Sequence, residues 1–178
     1  LTLLSCLAAA VWGQDVVISA STTSPRLNGT FQVTVRTRDA VAFTAWNQSL
    51  RFDPAAVRLV AQSGGVGTLV SDSRGLGAIN ASGELRSAGY LIGSSVQGAV
   101  VLGVFSFQAL RAGPTTIATD AYGPGHPFGN LLIAAAAHTP MVPVSGPPLA
   151  LSIVAGDRLR SVQLVALRGG SPIDVVVD

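Results

Sequence analysis

Between positions 46 and 52 the chain reads Trp46-Asn47-Gln48-Ser49-Leu50-Arg51-Phe52, and Asp53-Pro54 ends the run. Trp46, Leu50 and Phe52 fall on one side of an extended backbone, and Asn47, Ser49 and Arg51 on the other. A period of two predicts a strand with one face in a core and one in water. Proline has no amide hydrogen for a ladder, and an aspartate before it can bond forward to nearby backbone amides. Asp53 is therefore expected to shape a corner rather than to hold a cation. Val57, Leu59 and Val60 restart the apolar pattern, so the stretch predicts strand, corner, strand. Trp46 shares its phase with Leu50 and Phe52 and is assigned to the core. Gln48 occupies a position where the alternation expects an apolar side chain.

The same grammar recurs along the chain. Residues 15–20 predict a short strand, and residues 30–38 alternate with Phe31, Val33 and Val35 on one side. Further strands are expected at 41–52, 57–61, 68–70, 76–80, 84–91, 99–110, 115–119 and 149–154. Turns are expected at 21–29, 80–83, 93–98 and 111–114, and a loop at 120–130 around Gly123-Pro124-Gly125-His126-Pro127. Residues 100–104 carry no polar side chain on either face, as in a covered central strand. The alanines of residues 131–137 favour a helix, but the piece is short and sits among strands, which favours a strand or an irregular element. With 20 glycines, 10 prolines and no amphipathic helix pattern, this is an all-β chain, most simply a β-sandwich.

The 178 residues leave room for one well-filled domain with pieces at its ends. Residues 1–13 resemble the apolar and cleavage regions of a secretory signal, with Gly13 before the polar Gln14. No initiator Met or basic leader precedes them, so the sequence is expected to begin inside that signal. Leu3-Leu4-Ser5-Cys6 also resembles a lipobox in which Cys6 would carry lipid; the plain signal is the preferred reading. Residues 14–155 form the main domain, and residues 156–178 an extension or the start of another module.

Charged residues make up only 11% of the chain, against about 25% in an average soluble domain. A net charge of +2, with no arginine cluster among aromatics, gives no footprint for nucleic acid. One cysteine allows neither an internal disulfide nor a multi-cysteine metal site. His126 and His138 have no patterned acidic or thiol neighbours. No Gly-x-Ser-x-Gly elbow, zinc motif or phosphate loop is present. An enzyme is not expected, and neither is a metal or cofactor. Asn28, Asn47 and Asn80 open N-glycosylation sequons.

The order of these elements resembles the start of a cohesin domain. The resemblance rests on Asn28-Gly29-Thr30-Phe31-Gln32-Val33-Thr34-Val35, then Trp46 to Phe52 closing on Phe52-Asp53-Pro54, then Val57-Arg58-Leu59-Val60. Val101-Leu102-Gly103-Val104-Phe105-Ser106-Phe107-Gln108-Ala109, with Ala112-Gly113-Pro114-Thr115-Thr116-Ile117 behind it, is similar to the family's penultimate region. The resemblance covers residues 15–154 and implies a jelly-roll sandwich of about nine strands, related to carbohydrate-binding modules. It implies protein binding: cohesins capture dockerin modules in extracellular polysaccharide-degrading or cell-surface assemblies, and the dockerin carries the calcium.

The family's docking face includes outward residues of the strand before the Asp-Pro corner, which here are Asn47, Ser49 and Arg51. The loop at 122–130 matches nothing in the family pattern. Two other readings use the same architecture. One is a carbohydrate-binding module, for which Tyr90 and Tyr122 are the stacking candidates and polysaccharide the ligand; the other is a structural or adhesion spacer.

Overall fold

The computed structural model describes residues 16–135 and 141–156. The expected signal at 1–13, Cys6, His138 and the extension from 157 onward lie outside the described residues. The strands are β1 (Val16–Ala20), β2 (Thr30–Thr37), β3 (Ala40–Phe52), β4 (Val57–Ser63), β5 (Thr68–Val70), β6 (Glu84–Tyr90), β7 (Val96–Gly98), β8 (Val101–Ala109), β9 (Gly113–Ala118), β10 (Leu131–Ala134), β11 (Met141–Pro143) and β12 (Leu149–Ile153). One helix, α1 (Gly75–Ser82), interrupts them. Since β5, β7 and β11 have three residues each, nine longer strands remain among the described residues, against the expected count of about nine.

Two antiparallel sheets form the sandwich. One runs β1-β2-β8-β4; the other runs β11-β10-β3-β6-β5, with β7 and β9 also pairing with β3, and β12 with β9. Phe31, Val33 and Val35 from β2 and Phe105 and Phe107 from β8 face Trp46, Leu50 and Phe52 from β3, all buried. Phe107 links the layers: it stacks on Phe31 at 6.0 Å and meets Phe52 edge-on at 5.2 Å. Strand β8 is central, as residues 100–104 suggested, although Val101 stays 38% exposed at its start.

The Asp-Pro corner forms as the chemistry requires. The Ala55 amide donates to Asp53 Oδ1 at 2.8 Å, and the amides of Ala56 and Val57 donate to the Asp53 carbonyl. Asp53 Oδ2 accepts from Arg111 at 2.8 Å, so the side chain is a turn residue with a surface partner.

The strand expected at 76–80 is a helix, and the turn expected at 80–83 is that helix's last turn. Gly83 ends it in the left-handed conformation (φ 68°), its amide donating to the Ile79 carbonyl, as a glycine C-cap does. Only Ile79 of the helix is buried, too little for a periodic signal. Tertiary pairing fixes the segment instead. The Asn80 side chain accepts the Leu59 amide at 2.7 Å and donates to the Leu59 carbonyl at 2.9 Å, imitating a neighbouring strand along β4. A glycan on Asn80 would be attached to the same nitrogen that donates to Leu59.

Gln48 is buried as its phase requires, beside the bare backbone of Gly103, and neither of its amide atoms finds a hydrogen-bond partner. A buried polar group without a partner carries a penalty of about 1–3 kcal/mol. Gln48→Met keeps the unbranched shape and removes both orphan atoms, so it should stabilise the domain by about 1 kcal/mol. Urea melts check this; a lower midpoint in the variant would show that the amide is paired in solution.

Candidate functional site

Strand pairing fixes which side chains share the outer face of the second sheet. Cross-strand partners lie on one side, so Ala45, Tyr90 and Thr68 form one row, and Asn47, Ala88 and Val70 the next. Ser49 with Arg86, and Arg51 with Glu84, complete the face. On β10, Leu131 and Ile133 extend the rows past Asn47 and Ala45. Four large apolar side chains are open to solvent here: Val70 (47%), Tyr90 (42%), Phe128 (50%) and Ile133 (42%). Aromatic residues and arginine are among the residue types enriched at protein interfaces.

The three residues expected to contact a partner have different fates. Asn47 is half-buried in the middle of the face. Ser49 points outward as its phase predicts but is only 3% exposed, because the loop at 120–130 lies over it. Arg51 is exposed and bound to Asp120 of that loop, its Nη2 donating to Oδ1 at 2.7 Å. The expectation of Ser49 as an exposed contact is therefore corrected.

The loop is built onto β3 for a reason visible in the pairing. On one side of β3 the ladder passes from β10, which ends at Asn47, to β9, which begins at Arg51. The Ser49 amide falls in the gap, where Asn130 Oδ1 accepts it at 2.7 Å in place of a strand carbonyl. The loop closes on itself through Asn130 amide to Asp120 carbonyl (2.6 Å) and Tyr122 amide to Asn130 carbonyl (3.0 Å). Its crest carries Phe128 over the Arg86 guanidinium, 4.1 Å from guanidinium carbon to ring centre. The sequence marked this loop only by its glycines and prolines. Phe128 had no periodic neighbour to betray its role.

Every carboxylate on this face has an arginine. Asp120 pairs with Arg51, Glu84 with Arg86 (2.7 Å) and Asp72 with Arg74 (2.6 Å). The Arg86 hydrogen bond and charge hold Glu84 below its ordinary pKa against the opposing effect of burial. Between the crest and β5 lies a depression of about 290 Å³, walled by Val70 and Phe128, floored by Asn47 and Ala88, and ended by Arg86 and Arg74.

Tyr90 and Tyr122 stand on different levels of the structure. Tyr90 lies level with Ala45, while Tyr122 is held by Asn130, level with Ser49. Four residue rises separate these levels, about 13 Å along β3. His126 sits on the loop with Nδ1 3.7 Å from Asp120 Oδ2. Among the described residues no group of three His, Cys, Asp or Glu side chains could hold a metal ion, and no helix is long and apolar enough to cross a membrane.

No family model matches the chain, and no curated protein matches it significantly. Solved structures do. A type II cohesin domain from the cellulosome of Acetivibrio cellulolyticus superposes with a TM-score of 0.61 at 16% identity, covering 78% of this chain and 95% of its own. A chain of a type II cohesin–X–dockerin complex from the same organism gives 0.56 at 12% identity, over 80% and 95%. A non-cellulosomal cohesin from the archaeon Archaeoglobus fulgidus gives 0.57 at 12%, over 80% and 94%. At such identities the likeness lies in the arrangement of strands, and nearly the whole of each cohesin is matched: this chain has the cohesin fold.

Proposed function

We propose that the chain is an exported protein-binding module that captures a dockerin-type partner on the outer β10-β3-β6-β5 face, within extracellular polysaccharide-degrading or cell-surface assemblies. The observation that carries this reading is the open apolar face of Val70, Tyr90, Phe128 and Ile133 on a sandwich of cohesin fold. A cohesin neighbour solved in a cohesin–X–dockerin complex supports the choice of partner. Asn47 lies inside the proposed face; Ser49 and Arg51 serve it through the loop.

Calorimetric titration of the chain with dockerin modules from its own genome, with and without calcium, tests the reading. At least one calcium-loaded dockerin is expected to bind. Ala88→Arg, set mid-face between Asn47 and Val70, should weaken that binding at least about tenfold with the melting temperature unchanged. Failure of every dockerin to bind would reject the proposal. Retardation in polysaccharide gels that depends on Tyr90 would favour the carbohydrate reading instead.

A further inference from the structure

We propose that the depression between Phe128 and Val70 is the partner-selecting element of the face, and that it takes an uncharged, apolar side chain of the partner. This rests on the docking reading above and adds which part of the face discriminates and by what chemistry.

The depression's volume of about 290 Å³ lies at the lower limit of small-molecule pockets, roughly 300–1,000 Å³. It is open along the sheet, so it suits side chains projecting from a protein surface better than an enclosed ligand. Its walls, Val70 and Phe128, are half exposed, and burying such apolar surface is the available driving force. Its ionic groups are already engaged. Asp72 accepts from the side chain of Arg74 and the amides of Arg74 and Arg86, while Arg86 holds Glu84 with Nε and Nη2 and carries the Phe128 ring. The charges of Arg74 and Arg86 are already balanced by Asp72 and Glu84, so a charged partner group gains little there, whereas an apolar one displaces only water. Asn47 makes no side-chain hydrogen bond among the described residues and, with Ser71, Ser73 and Ser87 also in the lining, supplies a neutral polar contact.

Phe128 holds its place because the loop is latched to β3 by Arg51 to Asp120 and by Asn130 to Ser49. Arg51 is thus a positioning residue. Its effect on binding passes through the aromatic crest rather than through contact with the partner.

The test titrates calcium-loaded dockerins from the chain's own genome against the full 178-residue chain and its variants. Phe128→Ala and Val70→Ser, both at exposed positions, should each raise the dissociation constant at least about tenfold without changing the melting temperature. Between about 50 mM and about 1 M salt the affinity should fall by less than about threefold, since no unpaired charge is offered. Arg51→Gln should weaken binding in the parent chain but add nothing to Phe128→Ala. A dockerin that binds equally well to both wall variants, or an affinity that collapses in salt, or additive Arg51 and Phe128 effects, would overturn this inference while leaving the docking reading intact. No binding by any dockerin would overturn both.

Discussion

Gly89→Ala should destabilise the domain by about 3 kcal/mol, at the upper end of what overpacking a core costs. Gly89 stands directly across from Trp46 in the β3–β6 ladder, on the inward side. A Cβ there would lie 2.0 Å from Trp46 Cζ2 and within 2.5 Å of two further indole atoms. Neither partner can yield easily. Gly89 is held in a ladder on both sides, by Trp46 of β3 and Leu69 of β5. Trp46 is fully buried and packs edge-on against Phe43 at 6.1 Å.

For a domain of this size, such a loss corresponds to a fall in melting temperature of roughly 6–12 °C. The attribution is checked by a second background. Trp46→Leu is itself destabilising, but it vacates the space the new methyl needs, so Gly89→Ala should cost far less there. Additive effects in that double-mutant cycle would show that the penalty is not the indole clash.

The Trp46–Gly89 pair also marks how far the sequence could be read. Trp46, Leu50 and Phe52 announce a core face through their period, and Asp53-Pro54 announces its end, because both signals are local. Gly89 is locally an ordinary strand glycine; its necessity appears only when β6 is laid beside β3. The same holds for the two asparagines that stand in for missing strand neighbours. Asn80 completes β4 from a helix 21 positions away, and Asn130 completes β3 from 81 positions away. Neither bond leaves a trace in periodicity, which is why α1 resembles a strand in sequence and Ser49 resembles an exposed contact.

The outward stripe was legible in its phase but not in its exposure. Phase is set by the strand itself, whereas exposure depends on what the 120–130 loop does, and that loop has no period to read. Asn47 points outward but is half-buried in the depression that Phe128 of that loop lines.

The turn after β5 carries the second large effect. Asp72→Ala should cost about 2 kcal/mol, the scale of losing a carboxylate that accepts several hydrogen bonds and leaving a backbone donor without its partner. The Asp72 side chain is only 4% exposed, and its oxygens accept from the Arg74 guanidinium at 2.6 and 3.0 Å, the Arg74 amide at 3.0 Å and the Arg86 amide at 2.9 Å. Removing it strands an amide of β6 and frees the turn that ends the proposed binding depression. Burial pushes the Asp72 pKa up. The hydrogen bonds from Arg74 and from the two backbone amides, with the Arg74 charge, outweigh that and bring it down to about 2 from 3.8.

The direction of the pH dependence follows. A carboxylate whose pKa is depressed by folding contributes stability that is complete above its unfolded value, near pH 4, and vanishes as the pH falls through about 2. The contribution at neutral pH is about 2 kcal/mol. Glu84, also held below its ordinary value, loses its contribution in the acid range too, so the parent curve alone does not isolate Asp72. Asp72→Asn does, because Glu84 and Arg86 remain in both proteins. Urea melts of the pair from pH 7 down to pH 2 should show a stability gap that is constant above about pH 5 and narrows steadily below about pH 4. A gap that stays the same width to pH 2 would mean that the Asp72 carboxylate titrates normally, and that Arg74 does not hold the turn by charge.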